Sequence, residues 1–566
     1  MNTYQFRSFL VYVIIGLCAC SPRQKIEDSF QVSNNPNTFS WKNATVYFLL
    51  TDRFANGDTT NDLQYERLPD GAVLRNFMGG DFKGITQKIQ EGYFDKLGVN
   101  AIWFTPPVEQ IQHYTDEGTG KTYAYHGYWA RDWTALDPNF GTVEDFAACI
   151  AAAHSHGIKI MWDAVLNHTG PVTSLDTQWP EEWVRTSPKC NFQDLTGTVE
   201  CTLVENLPDI RTDSETPVEL PSFLLEKWKN EGRLEKELAE LDAFFERTGY
   251  PRAPKYYLVK WLTDWIREYG IDALRVDTAK HTEADVWEIL REEAELALAE
   301  WRASQDARKE DEAPFFMTGE VYGYSIHSGR AYDYGDQKVD FYDYGFESLI
   351  NFGLKEDAKS SPEKLFMQYS EIVNAPEMEG LIPLSYLSSH DDGSPFDVNR
   401  EKALEAGTKL LLAPGAIQIY YGDETARPLI VEGAQGDANL RSFMNWEELD
   451  QNLERNGNKV AEILAHWQKI GRFRQEHIAV GAGIHKKVAD KPFTFIRIYD
   501  NNEVKDGVLC ILDLSDQARA QSFSVHGLFP EGTLLREYYS GSTAEVQSGK
   551  VSFENIQRMA LIGIPK

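Results

Sequence analysis

The chain has 566 residues, more than one compact domain usually holds, so two or three domains with an ample hydrophobic core are expected. Hydrophobic residues make up 42% of the chain and charged residues 25%, which is ordinary for a globular protein. The formal net charge of −31 at pH 7 argues against binding to nucleic acid or to anionic lipid, because both would be repelled. A neutral substrate or a bound cation is compatible with this charge.

The N-terminal residues have the pattern of an export signal. Arg7 precedes an apolar run over residues 9–17, which is too short to span a bilayer. The run ends in Leu17-Cys-Ala-Cys20-Ser21, which resembles the bacterial lipobox. The resemblance implies that residues 1–19 are removed and that Cys20 carries a lipid, which predicts an exported protein anchored to the outer membrane. A signal peptide that is simply cleaved is the alternative. Residues 20–40 are expected to form a flexible tether.

Short apolar segments alternate with longer amphipathic segments from about residue 44 onward. Helices are predicted at 83–97, 143–156, 257–269 and 284–303. Strands are predicted at 44–50, 101–105, 158–162, 271–276, 315–318, 339–342, 384–388 and 416–421. Such alternation implies a parallel sheet, and eight rounds predict an α/β fold closed into a (β/α)8 TIM barrel. A doubly wound open sheet is the alternative, although no Gly-rich nucleotide-binding turn supports it.

Two regions interrupt this alternation. Residues 168–255 are mostly polar, with a charged helical piece at 224–247, and are predicted to form an inserted subdomain after the third strand. After residue 476 the pattern changes to period two, which predicts a C-terminal all-β domain over 476–566. The barrel would then comprise residues 41–167 and 256–475. Cys190 and Cys201 lie in a polar loop of the insertion, and an exported protein would let them pair.

Polar residues follow several predicted strands where the strands should end. In a barrel of this kind these positions form the functional site. The predicted strand ends carry Asp163, Asn167 and His168 (third), Arg275, Asp277, Lys280 and His281 (fourth), Glu320 (fifth) and Ser389, His390 and Asp391 (seventh). Three of these carboxylates, Asp277, Glu320 and Asp391, are therefore expected to converge on one mouth with histidines around them.

Crowded carboxylates differ in pKa, so one can stay protonated as an acid while a neighbour beside Arg275 stays ionised. Glycoside hydrolysis requires such a pair, with about 5 Å between the carboxyl groups in retaining enzymes and more in inverting ones. A structural salt bridge at a strand end is the alternative interpretation of Arg275 and Asp277.

Seven motifs along the chain carry a specific resemblance. They are residues 98–107, Asp163-Ala-Val-Leu-Asn-His168, Leu207-Pro-Asp209, residues 270–281, Gly319-Glu320, Ser389-His-Asp391 and residues 415–422. With them, the chain is similar to the α-amylase family of glycoside hydrolases, family 13, from about residue 46 to residue 446. Within that family it resembles the cyclodextrin glucanotransferase-type amylases. The resemblance implies the barrel, the insertion after strand 3 and a C-terminal β sandwich.

The resemblance also implies roles for the three carboxylates. Asp277 would be the nucleophile that forms a covalent glycosyl-enzyme, with Arg275 keeping it ionised. Glu320 would be the general acid for the leaving oxygen and then the base for water. Asp391 would bind sugar hydroxyls and help to distort the ring.

Further residues would contact the sugars. His168 and His390, assisted by Asp163, would bind the sugar at the cleavage position, and Lys280 and His281 would reach the next sugar on the reducing side. In the segment 125–129, Tyr128 would stack on a sugar ring and His126 would bind a hydroxyl, with Trp129 beside them; core packing is the alternative there. One departure is Ser389, where the family usually has Asn, which loosens the expected hydroxyl contacts at that position.

Calcium is the cofactor that the resemblance implies, at two places. Asn167, Asp209 and the backbone carbonyl of His281 match the family site that joins the barrel to the insertion. The second place resembles the N-terminal calcium loop of cyclodextrin glucanotransferases and comprises Asn56, Asp58, Asn61, Asp62, Gly79 and Asp81. Oxygen ligands of this type suit a hard cation. Ordinary turn chemistry is the alternative for the second run.

The predicted function is retaining hydrolysis of α-1,4-glucosidic bonds in starch, glycogen or maltodextrins by a monomeric, lipid-anchored enzyme. A transglycosidase on the same scaffold, making cyclic or rearranged glucans, is one alternative. A non-catalytic glucan-binding protein is another, although the presence of all three carboxylates argues against it.

Overall fold

A computed structural model describes residues 39–65, 67–116, 118–305 and 313–566. The predicted signal peptide, Cys20 and nearly all of the predicted tether lie outside these residues. Within the described ranges, no helix combines the length and the hydropathy that a bilayer span requires.

Eight parallel strands close into a barrel. They are Thr45–Leu49 (β1), Ala101–Phe104 (β2), Lys159–Ala164 (β3), Ala273–Val276 (β4), Phe316–Gly319 (β5), Ser348–Asn351 (β6), Leu384–Tyr386 (β7) and Ala416–Tyr420 (β8). Each strand pairs with its neighbours in sequence, and β1 pairs with both β2 and β8. The predicted TIM barrel is therefore confirmed.

Both faces of these strands are buried, which explains their continuous apolar runs. The outer face is covered by the helices Phe82–Gln90, Tyr93–Leu97, Val143–Ser155, Pro254–Tyr269, Asp285–Ser304, Pro362–Val373, Ala403–Leu411 and Val460–Glu476. The helix predicted over 83–97 is in fact two helices. Gly92 separates them with φ of 69°, a left-handed conformation that ends one helix and begins the next.

The prediction of a sixth strand at 339–342 was wrong. Lys338–Val339 belongs to a two-stranded hairpin with Tyr332–Asp333, and Phe341–Tyr344 is a 3₁₀ helix. The Asp340 side chain accepts a hydrogen bond from the Tyr342 N–H, which favours the turn over a strand. The true strand, Ser348–Asn351, has polar ends that are satisfied inside the barrel, where Ser348 contacts the Thr318 hydroxyl at 2.8 Å. Its short apolar run explains why the sequence pattern missed it.

The insertion after β3 packs on the barrel mainly through tryptophans. Its helices are Thr196–Val199, Ser222–Asn230 and Leu234–Thr248. Trp183 of the insertion stacks on Trp261 of the barrel helix Pro254–Tyr269, with ring centroids 6.0 Å apart and planes 4° apart. A disulfide joins Cys190 and Cys201, whose Cα atoms are 4.9 Å apart.

The C-terminal region forms antiparallel sheets with a separate apolar core. Six strands form one sheet: Ile484–Asp490, Phe493–Asp500, Lys505–Ile511, Ala560–Gly563, Leu534–Glu537 and Thr543–Glu545. Arg519–Ser524 pairs with Lys550–Ile556 in a second sheet. A buried polar contact joins this region to the barrel, since His466 Nδ1, on the barrel helix Val460–Glu476, lies 2.9 Å from the Tyr539 hydroxyl.

Candidate active site

Arg275 on β4 contacts three carboxylates at the carboxyl end of the barrel. Its Nη1 lies 2.7 Å from Asp163 Oδ1 and 2.8 Å from Asp277 Oδ1, and its Nη2 lies 2.8 Å from Glu320 Oε2. Strand register explains this convergence, because Arg275 pairs with Asp163 on β3 and with Thr318 on β5. Residues far apart in the sequence therefore meet around one guanidinium.

Both carboxylate oxygens of Asp163 have partners within the protein. Besides Arg275, its Oδ2 accepts hydrogen bonds from the Tyr128 hydroxyl at 2.8 Å and from Trp103 Nε1 at 2.9 Å. A carboxylate with all these partners is fixed in position. Asp163 thus orients Arg275 and Tyr128. Trp103 was missed by sequence reasoning, although it lies inside the 98–107 motif.

Glu320 lies in an environment that keeps it partly protonated near neutral pH. Burial raises its pKa to about 7, although Arg275 opposes the rise. Its Oε2 accepts the backbone N–H of Thr278 at 3.0 Å, and Thr278 takes a left-handed φ of 46° at that point. Such a carboxyl is suited to act as a general acid and, after losing its proton, as a base.

Asp277 is bound by the same two residues as Glu320, Arg275 and Thr278, through different atoms. Burial raises its pKa as well, and Arg275 opposes that rise. Asp277 Oδ1 faces Arg275, and its Oδ2 accepts the Thr278 hydroxyl at 3.2 Å. These donors favour the ionised form, which a nucleophile requires.

Asp391 projects into the cleft from the loop after β7, with its side chain 42% exposed. Desolvation would raise its pKa, but His390, 2.9 Å away, and Arg441 outweigh that effect and lower the pKa. Asp391 is therefore an ionised acceptor that faces the opening. Arg441 also pairs with Asp437 at 2.7 Å, and Asp437 with Arg75 at 2.8 Å. Sequence reasoning missed these partners, because only folding brings the loops after β1 and β8 beside the loop after β7.

The predicted aromatic cluster lies along the same wall. The Tyr128 ring stacks on His390 with centroids 5.3 Å apart. His126 Nδ1 accepts the Tyr128 N–H at 3.1 Å, so its ring is fixed beside Tyr128. Trp129 instead packs in a small apolar cluster behind His126, with Ile111, Ala124 and Leu207 as neighbours. Ser389 Oγ lies 3.3 Å from His390 Nδ1.

His168 and His281 are neutral at physiological pH, because burial lowers the pKa of each to about 4. His168 Nε2 contacts the Tyr128 carbonyl at 3.1 Å, and His281 Nδ1 contacts the Thr198 carbonyl at 2.9 Å. A carbonyl partner fixes a proton on the contacting nitrogen of each ring.

Two exposed aromatic side chains lie near Lys280 and His281. Tyr322 is 57% exposed and its carbonyl accepts a hydrogen bond from Lys280 Nζ at 3.0 Å. Phe192 is 56% exposed, with its ring 5.9 Å from that of His281. Neither was predicted. The position of Tyr322, two residues after Glu320, is the one sequence signal that could have identified it.

The first predicted calcium place brings its three groups together. Asn167 Nδ2 donates to Asp209 Oδ1 at 2.8 Å and to the His281 carbonyl at 3.0 Å. Asp209 Oδ2 accepts no hydrogen bond and faces Arg185 Nε at 3.1 Å. The Asp209 carboxylate and the His281 carbonyl are oxygens of the kind that a hard cation binds, and turning the Asn167 amide over would add its oxygen to them.

The second predicted calcium place brings part of its set together. Asn56 Oδ1 and Asn61 Oδ1 are buried and have no hydrogen-bond partner. Asn56 Nδ2 contacts Asp62 Oδ1 at 2.8 Å, and a Cβ on Gly79 would lie only 2.4 Å from Asn56 Nδ2. The two orphaned oxygens therefore fit a cation.

Two residues of this second set have other partners. The Asp58 carboxylate pairs with Lys83 at 2.6 Å, and Asp81 caps the helix Phe82–Gln90 by accepting the Gly84 N–H. Across the described ranges, no cluster of three or more His, Cys, Asp or Glu side chains forms a metal site, so amide and carbonyl oxygens would have to complete each place beside its carboxylate.

The mouth of this closed parallel barrel holds one guanidinium among several carboxylates, with histidines and aromatic rings beside them. These are the groups that cleave a glycosidic bond. Comparison with known families bears this out. The model of the alpha amylase catalytic domain matches residues 48–483, more than half of the chain. The protein belongs to the α-amylase family and is a glycoside hydrolase.

Two known proteins, one named an amylase and one a glucanotransferase, are similar to this chain. The periplasmic alpha-amylase of Escherichia coli strain K12 is 36% identical over 527 residues, a match that covers 82% of this chain and 72% of that protein. A cyclomaltodextrin glucanotransferase of Geobacillus stearothermophilus is 25% identical over 549 residues, covering 95% of this chain and 69% of that protein.

Solved structures agree on the fold. An α-amylase from Geobacillus thermoleovorans, complexed with acarbose, superposes with a TM-score of 0.61 at 22% identity, covering 94% of this chain and all of that one. A gamma-cyclodextrin glucanotransferase from an alkalophilic Bacillus clarkii gives a TM-score of 0.60 at 21% identity, covering 93% of this chain and 71% of that one.

Proposed function

We propose that this protein hydrolyses α-1,4-glucosidic bonds in starch, glycogen or maltodextrins with retention of configuration. The observation that carries the proposal is the contact of Arg275 with both Asp277 and Glu320. Asp277 attacks the anomeric carbon and forms a covalent glycosyl-enzyme, while Glu320 protonates the leaving oxygen. Glu320 then removes a proton from the water that attacks the intermediate.

The shared guanidinium supports retention over inversion. Its two Nη atoms belong to one rigid planar group, so the carboxyl groups that they bind are held close together. A retaining site needs a separation of about 5 to 5.5 Å, whereas an inverting site is wider and holds a water between the carboxyls. Asp391, ionised and facing the opening, would accept hydrogen bonds from sugar hydroxyls, with His390 beside it. His168 would bind the same sugar from its position beside the Tyr128 carbonyl.

Retention is tested by the anomer first released. Maltoheptaose incubated with the protein in a proton NMR tube should yield α-anomeric reducing ends before mutarotation, whereas β-anomers would contradict the mechanism. Pullulan in a parallel reaction measures tolerance of α-1,6 branches. A chain that bound glucan and released no sugar would refute the proposal altogether.

Transfer to a sugar acceptor is the second candidate function. The exposed rings of Tyr322 and Phe192, near Lys280 and His281, provide surfaces on which a sugar could stack and compete with water. The similarity to cyclomaltodextrin glucanotransferase is in keeping with this candidate. Hydrolysis increases reducing ends in step with bond cleavage, whereas transfer leaves their number unchanged, so counting both in one reaction separates the two.

Calcium is proposed as a structural cofactor at both places described above. Asn167, Asp209 and the His281 carbonyl would hold one ion between the barrel and the insertion. Asn56, Asn61, Asp62 and the Gly79 carbonyl would hold the other beside the start of the helix Phe82–Gln90. A bound ion at the first place would fix the loop that carries His281 relative to β3.

Removal of calcium is expected to lower the midpoint of thermal unfolding by about 2 °C for each ion, since ligand at about 100 times its Kd contributes about 2.7 kcal/mol and unfolding of a chain this long has an entropy of about 1.2 kcal/mol per kelvin. The chelated protein should regain its midpoint on addition of Ca²⁺ and less fully on addition of Mg²⁺. Calorimetry of the wild type and of Asn167→Ala and Asn56→Ala assigns the shift to each place. An unchanged midpoint in chelator would contradict both sites.

We further propose that the protein is exported and held at the outer membrane through Cys20. The lipobox resemblance supports the anchor, and a relative is named as periplasmic. An α-glucan would then be met outside the cytoplasm.

A further inference from the structure

Two loops at the barrel mouth hold Lys280 and His281 from different sides. The first, here the disulfide loop, comprises residues 190–201 and is closed by the Cys190–Cys201 bond. It holds His281, whose Nδ1 contacts the Thr198 carbonyl at 2.9 Å. Inside the loop, the N–H groups of Asn191 and Phe192 both donate to the Gly197 carbonyl, so the loop is compact.

The second loop, here the mouth hairpin, comprises residues 332–339 and holds Lys280. Lys280 Nζ donates to the Tyr332 hydroxyl at 2.9 Å. The Tyr334 hydroxyl donates to the Lys280 carbonyl at 2.7 Å. Lys280 is thus held at both its side chain and its backbone by one hairpin.

The two loops are also fastened to each other. Asp336 Oδ1, at the tip of the mouth hairpin, accepts the Leu195 N–H of the disulfide loop at 3.0 Å. Beside this bond, Gly335 has φ of 101°, and a Cβ there would lie 2.6 Å from the Gln193 carbonyl oxygen. Only glycine allows this approach. The disulfide, the hairpin and the segment between them therefore form one interlocked wall.

This wall lies on the side of the cleft where the leaving part of the substrate departs. Glu320 protonates the leaving oxygen in the proposed mechanism, on which this inference rests. The carbonyl of Tyr322, two residues beyond Glu320, accepts a hydrogen bond from the same Lys280 Nζ that the mouth hairpin holds. Sugars on the leaving side of the scissile bond would therefore lie against Lys280, His281 and the wall that holds them.

We infer that the Cys190–Cys201 disulfide and Asp336 are positioning residues for the leaving-group sugars, acting through His281 and Lys280. The wall contacts neither Asp277 nor Arg275 directly, so its loss should leave the bond-breaking groups intact. Binding of the leaving sugars should weaken, because their partners would no longer be held in place.

The test compares a substrate whose leaving group is a sugar chain with one whose leaving group is not a sugar. Maltoheptaose loses a sugar chain, whereas α-maltotriosyl fluoride loses fluoride and places no sugar against the wall. Asp336→Ala should lower kcat/KM for maltoheptaose about threefold, the effect of one exposed hydrogen bond. The Cys190→Ser/Cys201→Ser double variant should lower it about tenfold, mainly through KM. Both variants should hydrolyse the fluoride at the wild-type rate.

Two controls complete the design. Asp336→Asn keeps an acceptor oxygen and should restore maltoheptaose hydrolysis, and Lys338→Ala, on the same hairpin but 69% exposed, should have no effect. Equal losses on both substrates, or no loss on either, would overturn the inference. A wild-type chain that hydrolyses neither substrate would instead refute the proposed function itself.

Discussion

Asp277→Asn is expected to lower kcat on maltoheptaose by about 10⁴-fold or more, because an amide cannot form the glycosyl-enzyme. The side chain keeps its size, and Arg275 retains Asp163 and Glu320 as partners. The fold should therefore persist, with an unfolding midpoint close to that of the wild type. Steady-state rates and calorimetry on one preparation measure both effects.

A substrate with a better leaving group should not rescue this variant. α-Maltotriosyl fluoride needs no acid but still needs a nucleophile, so Asp277→Asn should remain inactive on it. Asp343→Asn, at a surface position 67% exposed, is the matched control and should keep full activity. Turnover of the fluoride by Asp277→Asn within tenfold of wild type would rule out Asp277 as the nucleophile.

Glu320→Gln is expected to lower hydrolysis of maltoheptaose by about 10³-fold, the usual contribution of a positioned general acid. Unlike the Asp277 variant, it should still form the glycosyl-enzyme rapidly from the fluoride. The intermediate should then accumulate, because no base remains to activate water. Intact-protein mass spectrometry after brief mixing should detect the added maltotriosyl group, and its absence would argue against Glu320 as the acid/base.

The pH dependence of wild-type activity also tests the assignment of Glu320 as the general acid. Burial raises the pKa of Glu320 to about 7, so the proton needed by the leaving oxygen is present below that pH and is lost above it. For maltoheptaose, kcat/KM should fall as the pH rises through about 7. For α-maltotriosyl fluoride, which needs no acid in its first step, this alkaline fall should be absent.

Much of the site could be predicted because its members follow strands with regular spacing. Arg275 and Asp277 are two residues apart in a buried strand, and their shared orientation follows from the period of a strand. Strand β6 could not be predicted in the same way, because its polar ends Ser348 and Asn351 find their partners on other strands and on a helix. The period-two and apolar-run signals carry no information about such partners.

The roles of Arg441 and Asp336 could not be predicted from the sequence. Each is one charged residue in a polar loop, and nothing local distinguishes it from an exposed side chain. Their contacts with Asp391 and with Leu195 arise from loops joined to different strands. Long-range pairing of this kind depends on how the barrel closes.

The sequence by itself determined the alternation of strands and helices, the strand ends that carry Asp163, Arg275, Asp277, Glu320 and Asp391, and the family to which they belong. These are local properties, set by apolar periodicity and by residue type. The tertiary structure decided that burial raises the pKa of Glu320 to about 7 and that His390 and Arg441 lower the pKa of Asp391, because the residues that bury Glu320 and the Arg441 guanidinium come from other loops and strands. It also decided which loops form the wall beside Lys280 and His281, since loop contacts depend on the closed barrel beneath them.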